Sequence, residues 1–386
     1  MFELDRNTKL NIYCYLLFGL LFIILLTQYG FGVYFLSNIG LNYSEIGFLF
    51  AISALLSACI QPVLGRLIDS HHYSWKNILL VLDLLIIISL VIMFFLPIKA
   101  ILFAVVIVLA GCMVPLINYA PFYYKNYNYE TNFGVSRGFG ALSFTIFSSI
   151  IGFTITGNVM VLMVFALVSA VIMFFVIYKI PYHGFKSKIK ENKKFYNILS
   201  KYPMFILILI AMVFLMTFQN LFECYMINIL ENIGGTVKSV GISNSISAFL
   251  EIPVMFLFLK IFSRFNSRNL VIMASIFYVI RAVLIFFAQD PLHIYVSQIL
   301  QMFSYAIIIP ATAHLTVELI DPEDQFEAQA FLAATLTIGL ILANVIGGNV
   351  IQTYGVNLLL MILVILCIIG CLFAVSTRLF KNNVNG

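Results

Sequence analysis

Charge is what this sequence has least of. Only 10% of its 386 residues are Asp, Glu, Lys or Arg, where an ordinary soluble domain carries about 25%. That scarcity excludes a nucleic-acid binder, a disordered scaffold and a water-soluble enzyme. There is no Walker P-loop to hold ATP and no H-E-x-x-H pair among the five histidines. The isolated His and Ser residues form no readable catalytic triad. The six cysteines (Cys14, Cys59, Cys112, Cys224, Cys367 and Cys371) all fall in apolar runs, without a C-x-x-C pair. They read as small core residues, not as disulfides or metal ligands. The chain is therefore read as no enzyme, with no cofactor and no metal site.

What is abundant is apolar surface. Hydrophobic residues make up 62% of the chain, and the mean hydropathy is +1.07. A helix needs about 20 apolar residues to span a bilayer. The length therefore has room for about twelve spans with their turns. The apolar runs fall at 10–36, 44–68, 77–97, 100–123, 135–156, 158–180, 204–230, 239–262, 269–288, 291–318, 326–351 and 356–377. They are too long for barrel strands and lack period-two alternation, so they predict helices. The polar start MFELDRNTKLN runs straight into the first apolar stretch. It lacks the short apolar core and small-residue cleavage site of a signal peptide, so the first span is expected to be retained.

The basic residues orient these spans. Lys99 and Lys238 fall on one set of loops and Arg281 lies inside a span, while every other Lys and Arg falls on the opposite set. The positive-inside bias puts both termini in the cytoplasm of a multi-pass cell-membrane protein. The longest polar stretch, 181–203, is rich in lysine. It divides 1–180 from 204–386, six spans from six. Its lysines are expected to stay solvated or to meet anionic lipid headgroups.

The two halves repeat. Gly47 to Leu56 in the second span matches Gly241 to Leu250 in the eighth, at an offset of 194 residues. Ile52, Ser53, Ala54 and Leu56 recur as Ile246, Ser247, Ala248 and Leu250. Parallel repeats of this kind characterise one large transporter architecture, whose solute site lies near the membrane midplane.

A charge at the centre of a span costs about 2.5–3.5 kcal/mol on insertion scales. Asp83, Glu223, Glu251 and Arg281 lie within spans. Each needs a partner, a watery cavity or a bound proton. Glu251 and Arg281, on adjacent spans, read either as a proton-responsive carboxylate with its counter-ion or as a static buried ion pair. Gln219 and Glu223 are four apart and share a helix face. That face reads as cavity lining or as an interhelical contact. Asp83 follows Lys76 by about two helical turns, and the favoured reading pairs it within a cytoplasmic gate. Gln28, Asn118, Gln298, Gln301, Tyr305 and Asn344 add polar groups inside spans. They suit a hydroxyl-rich solute, and equally suit helix–helix contacts.

Three stretches carry a family resemblance. Gly65-Arg66-Leu67-Ile68-Asp69 resembles the G-x-L-x-D loop signature of the major facilitator superfamily. Ser70-His71-His72 stand where a basic residue usually follows. Phe133 to Phe144, containing Arg137, resembles the start of span 5 in lactose-permease-like proton symporters and in the related nucleoside and phenylpropionate groups. Glu251-Ile252-Pro253 with Arg281 resembles the phenylpropionate branch. The resemblance implies an all-α membrane protein with twelve transmembrane helices in two pseudo-symmetric six-helix bundles. It also implies proton-coupled symport of a small polar solute, oligosaccharide- or nucleoside-like, by alternating access. Gly65, Arg66 and Asp69 would then belong to the cytoplasmic gate. In the lactose-permease-like proteins an acidic residue of span 4 and the Arg of span 5 hold the sugar. Here Arg137 matches the Arg, while Asn118 stands at or next to the acid's place. The span 10 His and Glu of those proteins correspond to Gln301-Met302-Phe303-Ser304, with neither.

The expected site is thus Arg137, Asn118, Gln28, Gln219, Gln298, Gln301, Tyr305 and Asn344 for the solute. Glu251, Arg281 and Glu223 are expected to couple the proton. A drug/proton antiporter is the alternative, although Gly140 to Gly152 lacks the Pro of the antiporter span 5 pattern. The expected partners are the solute, protons and the lipid bilayer, with no nucleic acid, for a monomeric chain. The charge bias makes a topological prediction. A fluorescent protein fused after the last residue should mature and emit, and an alkaline phosphatase fused there should be inactive. Active phosphatase would reverse the orientation.

Overall fold

A computed structural model describes residues 5–69, 73–125, 127–184, 198–262, 265–321 and 324–379. Most of the basic segment, 185–197, lies outside the described residues, as do Ser70, His71 and His72. The first half contributes α1 (Arg6–Leu25), α2 (Tyr43–Asp69), α3 (Trp75–Phe95), α4 (Lys99–Lys125), α5 (Phe133–Thr154) and α6 (Val161–Lys179). The second half contributes α7 (Pro203–Cys224), α8 (Val237–Phe262), α9 (Ser267–Phe286), α10 (Pro291–Ile299, resuming at Tyr305–Leu319), α11 (Gln325–Tyr354) and α12 (Val356–Ser376). Among the described residues eleven helices are long and apolar enough to cross a membrane. The 26-residue α8 is the twelfth helix.

The helix starts follow from local chemistry. Side chains of Asp5, Ser74, Asn132, Asn266 and Asp290 accept hydrogen bonds from first-turn N–H groups of α1, α3, α5, α9 and α10. Such caps satisfy donors that have no partner inside the helix. Pro203 and Pro291 occupy first-turn positions, where a missing N–H costs nothing. Apolar side chains face outward as well as inward. Val81, Ile101, Val168, Phe175, Ile365 and Leu372 are all more than half exposed. Hydrocarbon is the solvent that tolerates such a surface.

The contacts divide the chain into two compact units. One holds Met1–Leu41, Ile52–Glu191 and Val240–Phe249; the other holds Asn42–Ala51, Asn192–Ser239 and Leu250–Gly386. In the first, α1 lies against α5, α6 and α4, and α3 lies against α4 and α6. In the second, α7 lies against α11 and α12, and α9 lies against α10 and α12. Moving the main pairings on by six helices maps one set onto the other. The breaks in the helices repeat too. A π turn at Leu26–Gly30 interrupts the first span, and the short helix Gly32–Asn38 continues it. After α7 the short helix Met226–Asn232 has the same seven-residue length, again 194 residues along.

The units depart from a simple cut at the linker because of two close helix crossings. A Cβ on Gly47 would come within 2.2 Å of the Asn344 carbonyl oxygen and 3.0 Å of Gly348 Cα. That draws Asn42–Ala51 of α2 into the second unit, where the Tyr43 N–H donates to Gln352 Oε1 at 3.0 Å. A Cβ on Gly241 would come within 2.6 Å of the Ser148 oxygen and 3.0 Å of Gly152 Cα. Val240–Phe249 of α8 accordingly belongs to the first unit, where Ser245 hydrogen-bonds Ser149 at 2.8 Å. Gly47 and Gly241 are the same repeat position. Only glycine leaves room for backbone contact at that distance.

Polar latches close the helix ends. Lys76 Nζ donates to the Tyr178 and Ile180 carbonyls at 2.8 and 2.7 Å, satisfying the last turn of α6. Tyr123, Tyr124 and Tyr127 hydroxyls donate to carbonyls of Pro181 and Gly184, tying the chain after α6 to the end of α4. In the second unit Lys201 Nζ bridges Asp321 and Asp324 at 2.7 and 2.9 Å, and the Tyr202 hydroxyl donates to both carboxylates. The Lys201 hydrogen bonds hold both carboxyls below the ordinary Asp value of 3.8. A depressed carboxyl adds stability above its ordinary value, and that stability is lost as pH falls through the lower folded value. Lys201 and Asp321 are at least half exposed and Asp324 about a quarter, so solvent screens the contribution and keeps it small. Lys201→Ala should lower the thermal midpoint of the detergent-solubilised protein slightly near about pH 7, and the difference should vanish in acid once both carboxyls are protonated. A difference that persists in acid would assign the effect of Lys201 to packing.

Candidate functional site

The second unit buries a guanidinium. Arg281 lies on α9 with no solvent exposure. Four neighbouring elements supply what surrounds it. Gln219 and Glu223 project from one face of α7, four residues apart. Glu251 comes from α8. Gln298 ends the first part of α10, and Gln301 lies in the 3-10 turn Leu300–Met302 that follows. In a 3-10 turn residues three apart eclipse one another, so the turn aims Gln301 along the same side as Gln298.

The geometry is a cage of amides. Arg281 Nη1 donates to Gln219 Oε1 at 2.8 Å, and Nη2 donates to Oε1 of both Gln298 and Gln301 at 2.6 Å. The rings of Phe222 and Phe218 lie with centroids 5.0 and 5.8 Å from the guanidinium carbon, within cation–π range. Arg281 Nε and the Tyr278 hydroxyl, one turn earlier on α9, are buried without a hydrogen-bond partner. The far ends of two amides reach acids. Gln301 Nε2 donates to Glu251 Oε1 at 2.5 Å, and Gln219 Nε2 donates to Glu223 Oε1. Glu223 has a further side-chain hydrogen-bond interaction with Gln301.

This arrangement bears on two readings. Arg281 and Glu251 were expected as a direct pair; the Gln301 amide bonds both, its oxygen on Arg281 and its nitrogen on Glu251. Gln219, Gln298 and Gln301 were expected to hold solute. Their oxygens are instead turned onto Arg281, because a guanidinium has only donors and needs acceptors around it. The sequence reading missed Tyr278, Phe218 and Phe222. Their only signal is a spacing of three or four residues from Arg281 or from each other, common to any packed helix face.

The other expected residues are dispersed. Gln28 sits in the π turn of the first span, fully buried, its Nε2 donating to Thr27 Oγ1 at 3.1 Å and its Oε1 unpartnered. Single π turns inside helices frequently mark functional positions. Asn118 is half-buried on α4, three residues after Pro115 and three before Pro121. Arg137 is half-buried in the first turns of α5. These three belong to the first unit. Asn344 is fully buried on α11 and donates to the Leu340 carbonyl at 2.8 Å, and Tyr305 is half-buried where α10 resumes.

Of the gate residues, Arg66 is exposed and Gly65 has open space where a Cβ would point. Asp69 is the last residue of α2, and its side chain lies outside the described set. Asp83 was expected to pair within the gate. It is fully buried and neither carboxyl oxygen has a hydrogen-bond partner, while Lys76 is occupied by the carbonyls at the end of α6. The reason is geometric: the N-terminal turn of α3 holds Lys76 at the end of α6, two turns from the carboxyl.

Twelve apolar helices in two repeated units, one enclosing buried ionisable groups, define a multi-pass membrane protein of the major facilitator type. The chain belongs to the MFS_1 like family, whose model matches residues 8–359. Similar solved structures include a variant of the nucleoside transporter NupG, at a TM-score of 0.79 and 17% identity over 98% of this chain and 100% of that one. NupG itself gives a TM-score of 0.75 at 17% identity, covering 98% and 100%. A D-xylose-proton symporter gives 0.74 at 14% identity, covering 97% of each chain. No curated protein matches the sequence. These structural likenesses show the fold.

Removing the guanidinium should cost the fold heavily. Arg281→Met leaves three buried amide oxygens without a donor and two acids without a counter-charge. Breaking a buried charge network in this way costs about 3–5 kcal/mol. The thermal midpoint in detergent should fall by several degrees, with Arg281→Lys intermediate because it keeps the charge but not the fork. Equal midpoints for all three proteins would mean that water reaches the cluster.

Proposed function

We propose that the protein is a secondary active transporter that moves a small polar solute together with a proton by alternating access. The solute class is oligosaccharide- or nucleoside-like. The protein acts in the cell membrane as a monomer, with both termini cytoplasmic. The observation that carries this reading is the cluster of Glu223 and Glu251 with Arg281. Two acids and one base leave a formal charge of −1 when all are ionised, and one added proton neutralises it. Ionisable groups buried at membrane depth are costly to keep and mark ion or solute pathways. Hard metal cations take oxygen ligands, and the three amide oxygens here are already turned onto Arg281. That favours a proton as the coupling ion.

The similar folds of a nucleoside transporter and a D-xylose-proton symporter support the solute class. Arg137, Asn118, Gln28, Asn344 and Tyr305 are proposed to meet the solute, together with Gln219, Gln298 and Gln301, whose oxygens rest on Arg281. Gly65, Arg66 and Asp69 are proposed for the cytoplasmic gate. Inward movement of one positive charge gains about 2.3 kcal/mol per 100 mV of membrane potential, so a neutral solute carried with a proton would be accumulated.

The test uses de-energised vesicles carrying the protein and a panel of sugars, nucleosides and aromatic acids. A substrate should raise the external pH on addition, and Glu251→Gln should abolish both that signal and uphill accumulation. Acidification of the medium by lipophilic cations in acid-loaded vesicles, with no response to the panel, would replace this reading with drug/proton antiport.

A further inference from the structure

We propose that Gln301 is the positioning residue that transmits the charge state of Glu251 and Glu223 to Arg281. The proposal rests on the symport reading of the same cluster and assigns the coupling step within it.

The orientation of the Gln301 amide is dictated by its neighbours. Arg281 has donors only, so it takes the amide oxygen, at 2.6 Å from Nη2. The amide nitrogen must then point away, and there it meets Glu251 Oε1 at 2.5 Å and interacts with Glu223. One neutral side chain therefore touches all three charged groups. Gln219 links Arg281 to Glu223 alone among the acids. The other titratable groups facing the cluster are Cys224 on α7, Tyr278 on α9, Tyr305 on α10 and Cys367 on α12. At their ordinary values these are neutral near pH 7. The charge balance is set by the two acids and the arginine.

An ionised carboxylate only accepts, and its hydrogen bond from an amide is roughly twice as strong as a neutral one. While Glu251 is ionised, it pulls the Gln301 NH2 and so holds the amide oxygen on Arg281. Uptake of one proton from water turns a Glu251 oxygen into a hydroxyl. The bond to Gln301 Nε2 then loses its charge assistance, and the amide is no longer held from that side. Arg281 Nη2 is freed to donate to an oxygen of the solute. Loss of the proton to water on the other side returns the amide to Arg281 and displaces the solute. Linkage is reciprocal: a solute oxygen on Arg281 raises the affinity of the cluster for the proton by the same factor.

The experiment needs no identified solute. The purified full chain in detergent is titrated while infrared difference spectra follow carboxylic acid C=O bands, assigned by their loss in Glu251→Gln and Glu223→Gln. Gln301→Met, which keeps the volume and removes both hydrogen bonds, should displace the midpoints of both acids by about one pH unit or more, tenfold in proton affinity. Gln219→Met should displace the Glu223 midpoint and leave that of Glu251 in place. Elution volume and thermal midpoint report folding. If Gln301→Met does not fold, Gln301→Asn, too short to reach acid and arginine together, serves the same comparison and should give the same displacement. Wild-type midpoints in the Gln301 variant, or equal displacement of both acids by both variants, would overturn the relay. In that event solute-driven alkalinisation in the vesicle experiment would show that symport itself stands. If neither acid of the wild-type protein titrates at all, the relay and the proton reading fall together.

Discussion

Everything distinctive about the second unit depends on hiding a guanidinium from hydrocarbon. An isolated charge at membrane depth is costly, and Arg281 has no exposure to water. Its charge is offset at one remove. Three glutamine oxygens satisfy its N–H groups, and two of the same amides hand their donors on to carboxylates. Each local feature nearby serves that end. The 3-10 turn in α10 brings Gln301 beside Gln298. The four-residue spacing on α7 places Gln219 within reach of both Arg281 and Glu223. Two phenylalanine rings of α7 lie close to the guanidinium, within cation–π range.

The first unit is built to the same plan without that charge. Its helices pair in the same order, and its first span breaks at the repeat-equivalent place. Ser57, at the repeat position of Glu251, hydrogen-bonds Gln61, which also donates to the Gly111 carbonyl of α4. The α2–α4 contact is thus neutral where α8–α10 is ionic. Duplication supplied one scaffold twice, and only one copy carries the interlocked acids and base. Asp83 is the buried acid of the first unit, and no base accompanies it within hydrogen-bond reach.

Much of this was legible in the residue order. Apolar runs predicted the eleven helices that, among the described residues, are long and apolar enough to span, because hydrocarbon requires long uninterrupted helices. The match of Gly47–Leu56 with Gly241–Leu250 predicted a repeat, which the helix pairings display. What the residue order left open has one cause. Asp83 was read as a gate group, yet it is buried without a hydrogen-bond partner, and nearby Lys76 bonds the carbonyls ending α6, a partner that sequence spacing does not reveal. Glu251 and Arg281 carry opposite charges on adjacent spans, yet an amide from a third helix bonds both. Gln219, Gln298 and Gln301 look like free polar groups until their orientation is known.

By itself the sequence determined the class of protein: a twelve-span helical membrane protein in two repeated halves, with acids and a base placed inside the spans. Composition and periodicity suffice for that, because the bilayer permits few alternatives. Tertiary structure alone decided which polar groups meet. A glutamine can offer oxygen or nitrogen to a neighbour, and the choice depends on what stands on either side of it. Four separate elements, brought together only when the chain has folded, make that choice around Arg281.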